Sequence, residues 1–189
     1  MTLWTIQPEE VYRVLLQNGR YICDPNRVTI PDFFPYYDWL ASEMTQRIGP
    51  PPEGVRYPVW AWHTQDGKRT CPPLGRSQWG IGGKKMVCLE IEVPHDRVLL
   101  SDFDSWSVIL NDGLISWSEE EDNALETLYR SLSPERQWEM KRENWRRVFD
   151  IRPLDSQWFC RGQTIQATFW ELTSNMVHDV RRFVVRWGK

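Results

Sequence analysis

The segment Pro58-Val59-Trp60-Ala61-Trp62-His63 decides the fold, because it concentrates tryptophan in one short apolar stretch. Its surroundings predict a strand over residues 57–64, followed by a turn at Gln65-Asp66-Gly67-Lys68. The whole chain has twelve tryptophans in 189 residues. Tryptophan is bulky and has one N–H that needs a hydrogen-bond partner. The tryptophan side chains of such a chain either pack between two layers of the fold or line a groove in which a planar ligand stacks.

Length and composition indicate a single domain over residues 1–189, with ordinary hydrophobic (41%) and charged (26%) fractions. No apolar run approaches the roughly 20 residues that cross a bilayer. The N-terminal residues Met1–Thr5 lack the basic and apolar regions of a signal peptide. We therefore expect a cytoplasmic protein with no membrane partner.

The cysteines are scattered along the chain, with no C-x-x-C pair and no histidine at ligand spacing. They are Cys23, Cys71, Cys88 and Cys160. This pattern predicts four reduced and mostly buried thiols and no metal site.

Net charge is −3, which does not indicate nucleic-acid binding by itself. Basic residues nevertheless concentrate at Lys141-Arg142, at Arg146-Arg147 and in the tail from Arg181 to Arg186. Such clusters are either solvated faces or a track for phosphates.

The order of elements predicts an α+β fold with mainly antiparallel strands, since strands and helices do not alternate strictly. The predicted strands are Leu3–Gln7, Arg20–Cys23, 57–64, Lys85–Val93, Val98–Ser101, Thr164–Leu172 and Val180–Trp187. The predicted helices follow Pro8, run from Asp32 to Ile48, and run from Asp104 as cap to Leu110. A helical segment at about 118–150, beginning at Ser118, is inserted before the last strands.

Polar residues interrupt the apolar strands at three places, and these are the candidate sites. They are Thr5 with Gln7, His63 with Arg47 nearby in sequence, and Gln166 with Glu171. Successive side chains of a strand point to opposite faces, so Glu171, Phe169 and Ala167 are predicted on one face of the strand at 164–172. An acid among aromatic residues near a strand end is either a paired surface residue or a carboxylate with a raised pKa in a cleft.

Several enzyme classes lack their sequence signatures. The chain has no G-x-S-x-G nucleophile elbow, no P-loop and no dinucleotide-binding glycine fingerprint. Its three histidines lie near no evident nucleophile. Serine or cysteine hydrolysis is therefore not indicated.

Five segments carry a resemblance to a known family. They are Leu3-Trp4-Thr5-Ile6-Gln7, Tyr37-Asp38-Trp39 through Arg47-Ile48, Pro58-Val59-Trp60-Ala61-Trp62, Val98-Leu99-Leu100-Ser101-Asp102-Phe103 with Trp106, and Gln166-Ala167-Thr168-Phe169-Trp170-Glu171-Leu172. Together they resemble a bacterial family known as domain of unknown function 3841. The resemblance covers nearly the full length. It implies no biochemistry by itself.

A more distant resemblance is to the ADP-ribosyltransferase fold, especially the DNA-modifying DarT-type enzymes. Arg47 precedes the 57–62 strand as their NAD-contacting arginine does, and Gln166-Ala167-Thr168-Phe169 is similar to their catalytic segment "Gln-Ala-Glu-Phe". Thr168 stands at the place of the catalytic glutamate, and the nearest acid is Glu171. The resemblance implies a split, mainly antiparallel two-sheet core, with NAD as substrate.

The resemblance also implies roles for individual residues. Glu171 would stabilise the oxocarbenium-like state that forms when the nicotinamide–ribose bond breaks, and Arg47 would hold the pyrophosphate. The residues expected around NAD are Trp4, Thr5, Gln7, Trp62, His63 and Gln166. Trp4 or Trp62 would stack a ring, His63 would donate to a ribose hydroxyl, and Gln7 would replace the residue that grips the nicotinamide ribose.

Three functions remain open at this point, and whether the chain is an enzyme is open with them. The first is an NAD-binding ADP-ribosyltransferase-like protein that transfers ADP-ribose to a protein or nucleic-acid acceptor. The second is a non-catalytic, tryptophan-lined module for a nucleotide or a peptide. The third is a nucleic-acid-directed toxin or defence protein that uses the basic clusters as a phosphate track.

The tryptophans divide by position. Trp39, Trp138 and Trp145 fall at helical spacing and are predicted in the core. Trp60, Trp106 and Trp170 are predicted to wedge between sheet and helices.

Overall fold

The computed structural model describes residues 1–25, 31–75, 80 and 82–187. The α-helices of these residues are α1 (Glu9–Asn18), α2 (Phe34–Ile48), α3 (Phe103–Leu110), α4 (Glu119–Ser131) and α5 (Pro134–Trp145). The strands are β1 (Thr2–Pro8), β2 (Arg20–Tyr21), β3 (Val59–Thr64), β4 (Lys85–Glu92), β5 (Leu99–Asp102), β6 (Leu154–Asp155), β7 (Cys160–Arg161), β8 (Ile165–Phe169), β9 (Leu172–Thr173) and β10 (Val177–Val184).

Six strands form the main sheet, in the order β10-β4-β1-β3-β8-β5. Every neighbouring pair in it is antiparallel. Two small antiparallel ribbons, β2-β9 and β6-β7, complete the strands of the described residues. The predicted α+β class is confirmed, and the predicted helical segment at 118–150 consists of α4, α5 and a 3₁₀ helix at Arg146–Phe149.

The main sheet is weakly joined in its middle. β1 pairs with β4 along its whole length, from Thr2↔Glu92 to Pro8↔Met86, but its register with β3 consists of Trp4↔Trp62 alone. The Thr5 hydroxyl adds one further bond across this junction, since it donates to the Trp60 carbonyl at 2.8 Å. We call this junction the seam. It divides one six-stranded sheet into two three-stranded halves, where two separate sheets were expected.

The two faces of the sheet bury two different cores. One face places Leu3, Val59 and Ile91 against Leu15 of α1 in an aliphatic core. The opposite face packs aromatic residues against α2, α3 and α5. Its tryptophans are Trp39, Trp60, Trp106, Trp117, Trp145 and Trp170.

This second core contains five of the six tryptophans for which the sequence predicts a packed position. Trp60, Trp106 and Trp170 lie between the sheet and the helices, as predicted. Trp145 is fully buried, whereas Trp138 is 40% exposed and touches it only edge to face. The core prediction for Trp138 is therefore wrong, because its stretch of α5 faces solvent.

The late strand is shorter than the predicted Thr164–Leu172. β8 ends at Phe169, and β9 begins only at Leu172. Between them Trp170 turns into the aromatic core, where its indole N–H donates to the Gly49 carbonyl at 2.9 Å. The prediction of the sheet face on which Glu171 lies is therefore wrong, because the two-residue alternation of a strand does not extend past Phe169.

Two other boundaries differ from prediction. The last strand covers Val177–Val184 instead of Val180–Trp187, because it pairs with β4 from Ile91 to Lys85. Helix α3 is capped by Asp102 rather than by Asp104. The fully buried Asp102 carboxylate accepts hydrogen bonds from the Ser105 N–H at 2.8 Å and the Gly162 N–H at 2.7 Å.

Candidate functional site

A cavity of about 280 Å³ lies beyond the end of β8, and Glu171 forms part of its wall. Three of its lining residues are charged, namely Asp96, Arg97 and Glu171. The other lining residues are apolar, namely Ile48, Pro50, Pro52, Val93, Pro94, Phe169, Trp170 and Met176. We call it the Glu171 cavity. Apolar walls with a few convergent polar groups are typical of small-molecule sites.

Three chain segments supply all the lining residues of this cavity except Met176. Helix α2 ends at Ile48, and Gly49, with φ of +91°, turns the chain into the rigid proline loop of residues 50–52. The Trp170–Gly49 hydrogen bond fixes this loop to the end of β8. The third wall is the connection from β4 to β5, residues 93–98, which contains a 3₁₀ helix at His95–Arg97. The cavity therefore has supported walls on all three sides.

The charged side chains at the cavity differ in whether they already have an ion-pair partner. Glu171 forms an ion pair with Arg20 of β2, and its side chain is 28% exposed. Arg97 is exposed and makes no ion pair with the part of the chain that the structure describes. Its guanidinium is thus available to an anion at the cavity mouth, whereas Arg20 is already engaged by Glu171.

The predicted NAD-binding residues of β1 lie at the seam. Trp4 is 7% exposed, and its indole N–H donates to Glu90 at 3.1 Å. Gln7 donates through its side-chain nitrogen to the Thr5 hydroxyl at 2.8 Å, and Thr5 donates onward to the Trp60 carbonyl. Thr5 is therefore the one of these three side chains that bonds across the seam, since Glu90 lies on β4 in the same half-sheet as Trp4, and little of the Trp4 ring is left exposed for a ligand.

Trp62 and Gln166 lie next to each other across β3 and β8. The Trp62 ring lies 5.5 Å from the ring of Phe103. Gln166 also lies opposite Ser101 of β5. Within the described residues, Gln166 Oε1 and Ser101 Oγ are buried without a hydrogen-bond partner. A buried polar atom without a partner is costly to the fold.

Arg47 is turned away from the Glu171 cavity. Its Nε donates to Glu43 at 3.3 Å, and its guanidinium lies 4.3 Å from the centre of the Phe149 ring. Glu43 is buried and also accepts from Arg146 at 2.9 Å. Arg47 therefore holds α2 to the 3₁₀ helix after α5, while its neighbour Ile48 lines the cavity.

His63 occupies a bulge of β3, between Trp62 and Thr64, and its Nδ1 lies 2.8 Å from the Thr64 hydroxyl. Burial lowers the pKa of His63 to about 4, with help from the positive charges of Arg69 and His95. The bulge lies beside Ile165, at the start of β8. Glu171 follows the other end of β8, about 13 Å away along the strand at 3.3 Å per residue.

The predicted site residues thus fall into separate places. Trp4, Thr5, Gln7, Trp62 and Gln166 surround the seam, while Glu171 lies in the cavity, and Arg47 and His63 point elsewhere. Thr168, at the place that the resemblance gives to a catalytic glutamate, is 1% exposed, and its hydroxyl donates to the Leu99 carbonyl at 3.3 Å. Sequence reasoning missed Arg97, because its irregular connection has no periodic signal.

The fold and cavity define an α+β protein with a seamed antiparallel sheet and a small-molecule-sized cavity. The family model described as Domain of unknown function (DUF3841) matches residues 2–178, and the chain belongs to that family. No curated protein and no solved structure matches the chain.

Two further properties concern only the residues that the structure describes. No helix there is long and apolar enough to cross a membrane. No group of three or more acidic, cysteine or histidine side chains is placed to hold a metal ion.

We predict that His63 weakens the fold in mild acid. With a pKa of about 4 in the folded state and 6.5 when unfolded, the unfolded chain binds more protons between these values. The free energy of unfolding should therefore fall by about 1–2 kcal/mol from pH 7 to pH 4.5, allowing for partial exposure of the ring. Urea denaturation at both pH values, for the native chain and His63→Gln, measures this loss.

The His63→Gln variant should lose correspondingly less stability on acidification. The exposed His178 provides the matched control, and His178→Gln should retain the native pH dependence. Equal pH dependence in the native chain and His63→Gln would show that His63 is not the group responsible.

Proposed function

We propose that this chain is an NAD-binding, ADP-ribosyltransferase-like domain, and that the nicotinamide ribose of NAD enters the Glu171 cavity. The observation that carries the proposal is the position of Glu171. It is the acid nearest to the catalytic place in the resemblance, and it lines a cavity at the end of β8. The strands that carry the resemblance, β1, β3 and β8, are also direct neighbours in the sheet.

The chemistry of the cavity suits breakage of the nicotinamide–ribose bond. As nicotinamide leaves with the bonding electrons, positive charge develops on the ribose, and the Glu171 carboxylate stabilises it. A nucleophile of the acceptor then attacks the ribose carbon and loses its proton. Arg20 holds the carboxylate in place through their ion pair. Phe169 and Trp170 supply apolar wall for the planar nicotinamide ring.

The size of the cavity limits what enters it. A volume of about 280 Å³ is at the lower end for ligand pockets, so part of the dinucleotide remains outside. Arg97 stands at the wall with no ion-pair partner among the described residues, and its planar guanidinium matches the geometry of a pyrophosphate. We assign to Arg97 the anion-holding role that the resemblance implied for Arg47.

One observation favours a non-catalytic NAD-binding module as the second candidate. The buried Thr168 leaves no carboxylate at the catalytic place of the resemblance. The nucleic-acid function has less support, because several basic residues are already paired with acids. Arg146 pairs with Glu43, and Arg147 pairs with Glu121 at 2.7 Å.

The first prediction of the proposal concerns NAD affinity. Arg97→Gln should weaken NAD binding by about tenfold or more, because a charge-assisted contact to phosphate is lost. Arg47→Gln, the matched control, should leave the affinity within about twofold, since that guanidinium packs on Phe149. Isothermal titration calorimetry measures both, and circular dichroism checks that each variant is folded.

Failure of the native chain to bind NAD at millimolar concentration would contradict this assignment. A larger loss of NAD affinity in Arg47→Gln than in Arg97→Gln would also contradict it.

The second prediction separates catalysis from binding. Glu171→Gln keeps the shape of the side chain and removes its charge, so nicotinamide release should fall about 100-fold or more while NAD affinity changes little. Chromatographic measurement of nicotinamide from NAD gives the rate. Glu126→Gln, which neutralises an exposed glutamate paired with Arg130, is the control and should keep the native rate.

Unchanged turnover in Glu171→Gln would remove Glu171 from the mechanism. A native chain that binds NAD but releases no nicotinamide would instead be the non-catalytic module.

A further inference from the structure

Two cysteines lie side by side outside the candidate site. The sulfur atoms of Cys71 and Cys88 are 3.6 Å apart. Cys88 belongs to β4 and is 1% exposed, whereas Cys71 lies in the connection from β3 to β4 and is half-buried. Cys160 is occupied elsewhere, since its thiol donates to Asp155 at 3.2 Å.

The connection that carries Cys71 joins two strands that are not neighbours in the sheet. β3 and β4 are both antiparallel to β1, so they are parallel to each other and lie on opposite sides of it. The chain must therefore return along the sheet and pass over β1 between them. Cys88 shares its sheet face with Glu90, the partner of the Trp4 indole, so the connection crosses on the Trp4 face.

Hydrogen bonds hold the described part of this connection near the start of β8, where the Gly67 N–H donates to the Gln163 carbonyl at 2.7 Å, and at two points further along. The Arg69 guanidinium donates to the Thr2 carbonyl at 3.2 Å, and the Gly75 carbonyl accepts from the Arg186 N–H at 3.0 Å. Cys71 lies between these two anchors in the sequence, and Cys88 lies in β4. A covalent bond there would fix the middle of the crossing segment to β4.

We infer that Cys71 and Cys88 form a reversible disulfide that clamps the β3–β4 connection across the seam. The oxidant is a small-molecule disulfide such as oxidised glutathione. The Cys71 thiolate attacks one sulfur of that disulfide, whose S–S bond breaks and releases one glutathione thiolate. The Cys88 thiolate then attacks the Cys71 sulfur and releases the second. The protein loses two electrons and two protons, and both glutathione thiolates leave as thiols.

The exposure and the pKa of each thiol determine which cysteine reacts first with the oxidant. Cys71 is the accessible partner, so it meets the oxidant first. Burial raises the pKa of the Cys88 thiol, and the neighbouring Cys71 adds to the rise. Cys88 is therefore a poor first nucleophile, but it lies within reach of a mixed disulfide at Cys71. The clamp is independent of NAD binding.

The test uses the full chain with Cys23→Ser and Cys160→Ser, so that only the pair remains. This protein is incubated with oxidised glutathione, alkylated and digested for mass spectrometry. We expect a linked Cys71–Cys88 peptide that dithiothreitol reverses. The thermal midpoint should rise by about 5 °C or more on oxidation, because the closed loop restricts the unfolded chain.

Two further variants make the outcome decisive. Cys71→Ser and Cys88→Ser in the same background should each abolish the oxidation-dependent shift, and either one suffices if the other fails to fold. A stable glutathione adduct at Cys71 without a linked peptide would overturn the disulfide. A linked peptide with no change in thermal midpoint would overturn the clamp.

Discussion

The structure depends on how the two halves of the sheet meet at Trp4 and Trp62. A normal strand pair is held by a ladder of backbone hydrogen bonds, but β1 and β3 are in register at this one position. One side-chain hydrogen bond, from Thr5, crosses the seam beside this register position. Gln7 donates to Thr5 and Thr5 to the Trp60 carbonyl, while Trp4 is anchored by Glu90 on the opposite side. Thr5, which the sequence marked as a polar interruption of an apolar strand, therefore supplies a side-chain bond between the two halves of the sheet.

The seam also explains why tryptophan is so abundant. Two half-sheets need large rigid side chains to fill the wedge between them and the helices. Trp60 and Trp106 supply these, with ring centres 5.2 Å apart. Trp170 does so by leaving the strand, and its departure creates both the end of β8 and a wall of the Glu171 cavity. The turn of Trp170 out of the strand therefore contributes both to the packing of the core and to the wall of the candidate site.

The features that local sequence determines were predictable. The start of α4 is an example, because Ser118 accepts from the Glu121 N–H at 3.1 Å as its capping pattern indicates. The break after Phe169 was not predictable, because the partner of Trp170 is Gly49, far away in the sequence. Of the residues that line the cavity, the sequence indicated Glu171 but not Arg97, whose place in the wall depends on the path of an irregular connection.

The most direct test of the seam is a double-mutant cycle. Trp4→Leu, Trp62→Leu and the double variant are compared with the native chain by urea denaturation. If the two residues join the half-sheets, their effects on the free energy of unfolding should be non-additive by about 1 kcal/mol. The pair Trp4→Leu and Trp138→Leu should be additive. Additivity of Trp4 and Trp62 to within about 0.3 kcal/mol would contradict the account.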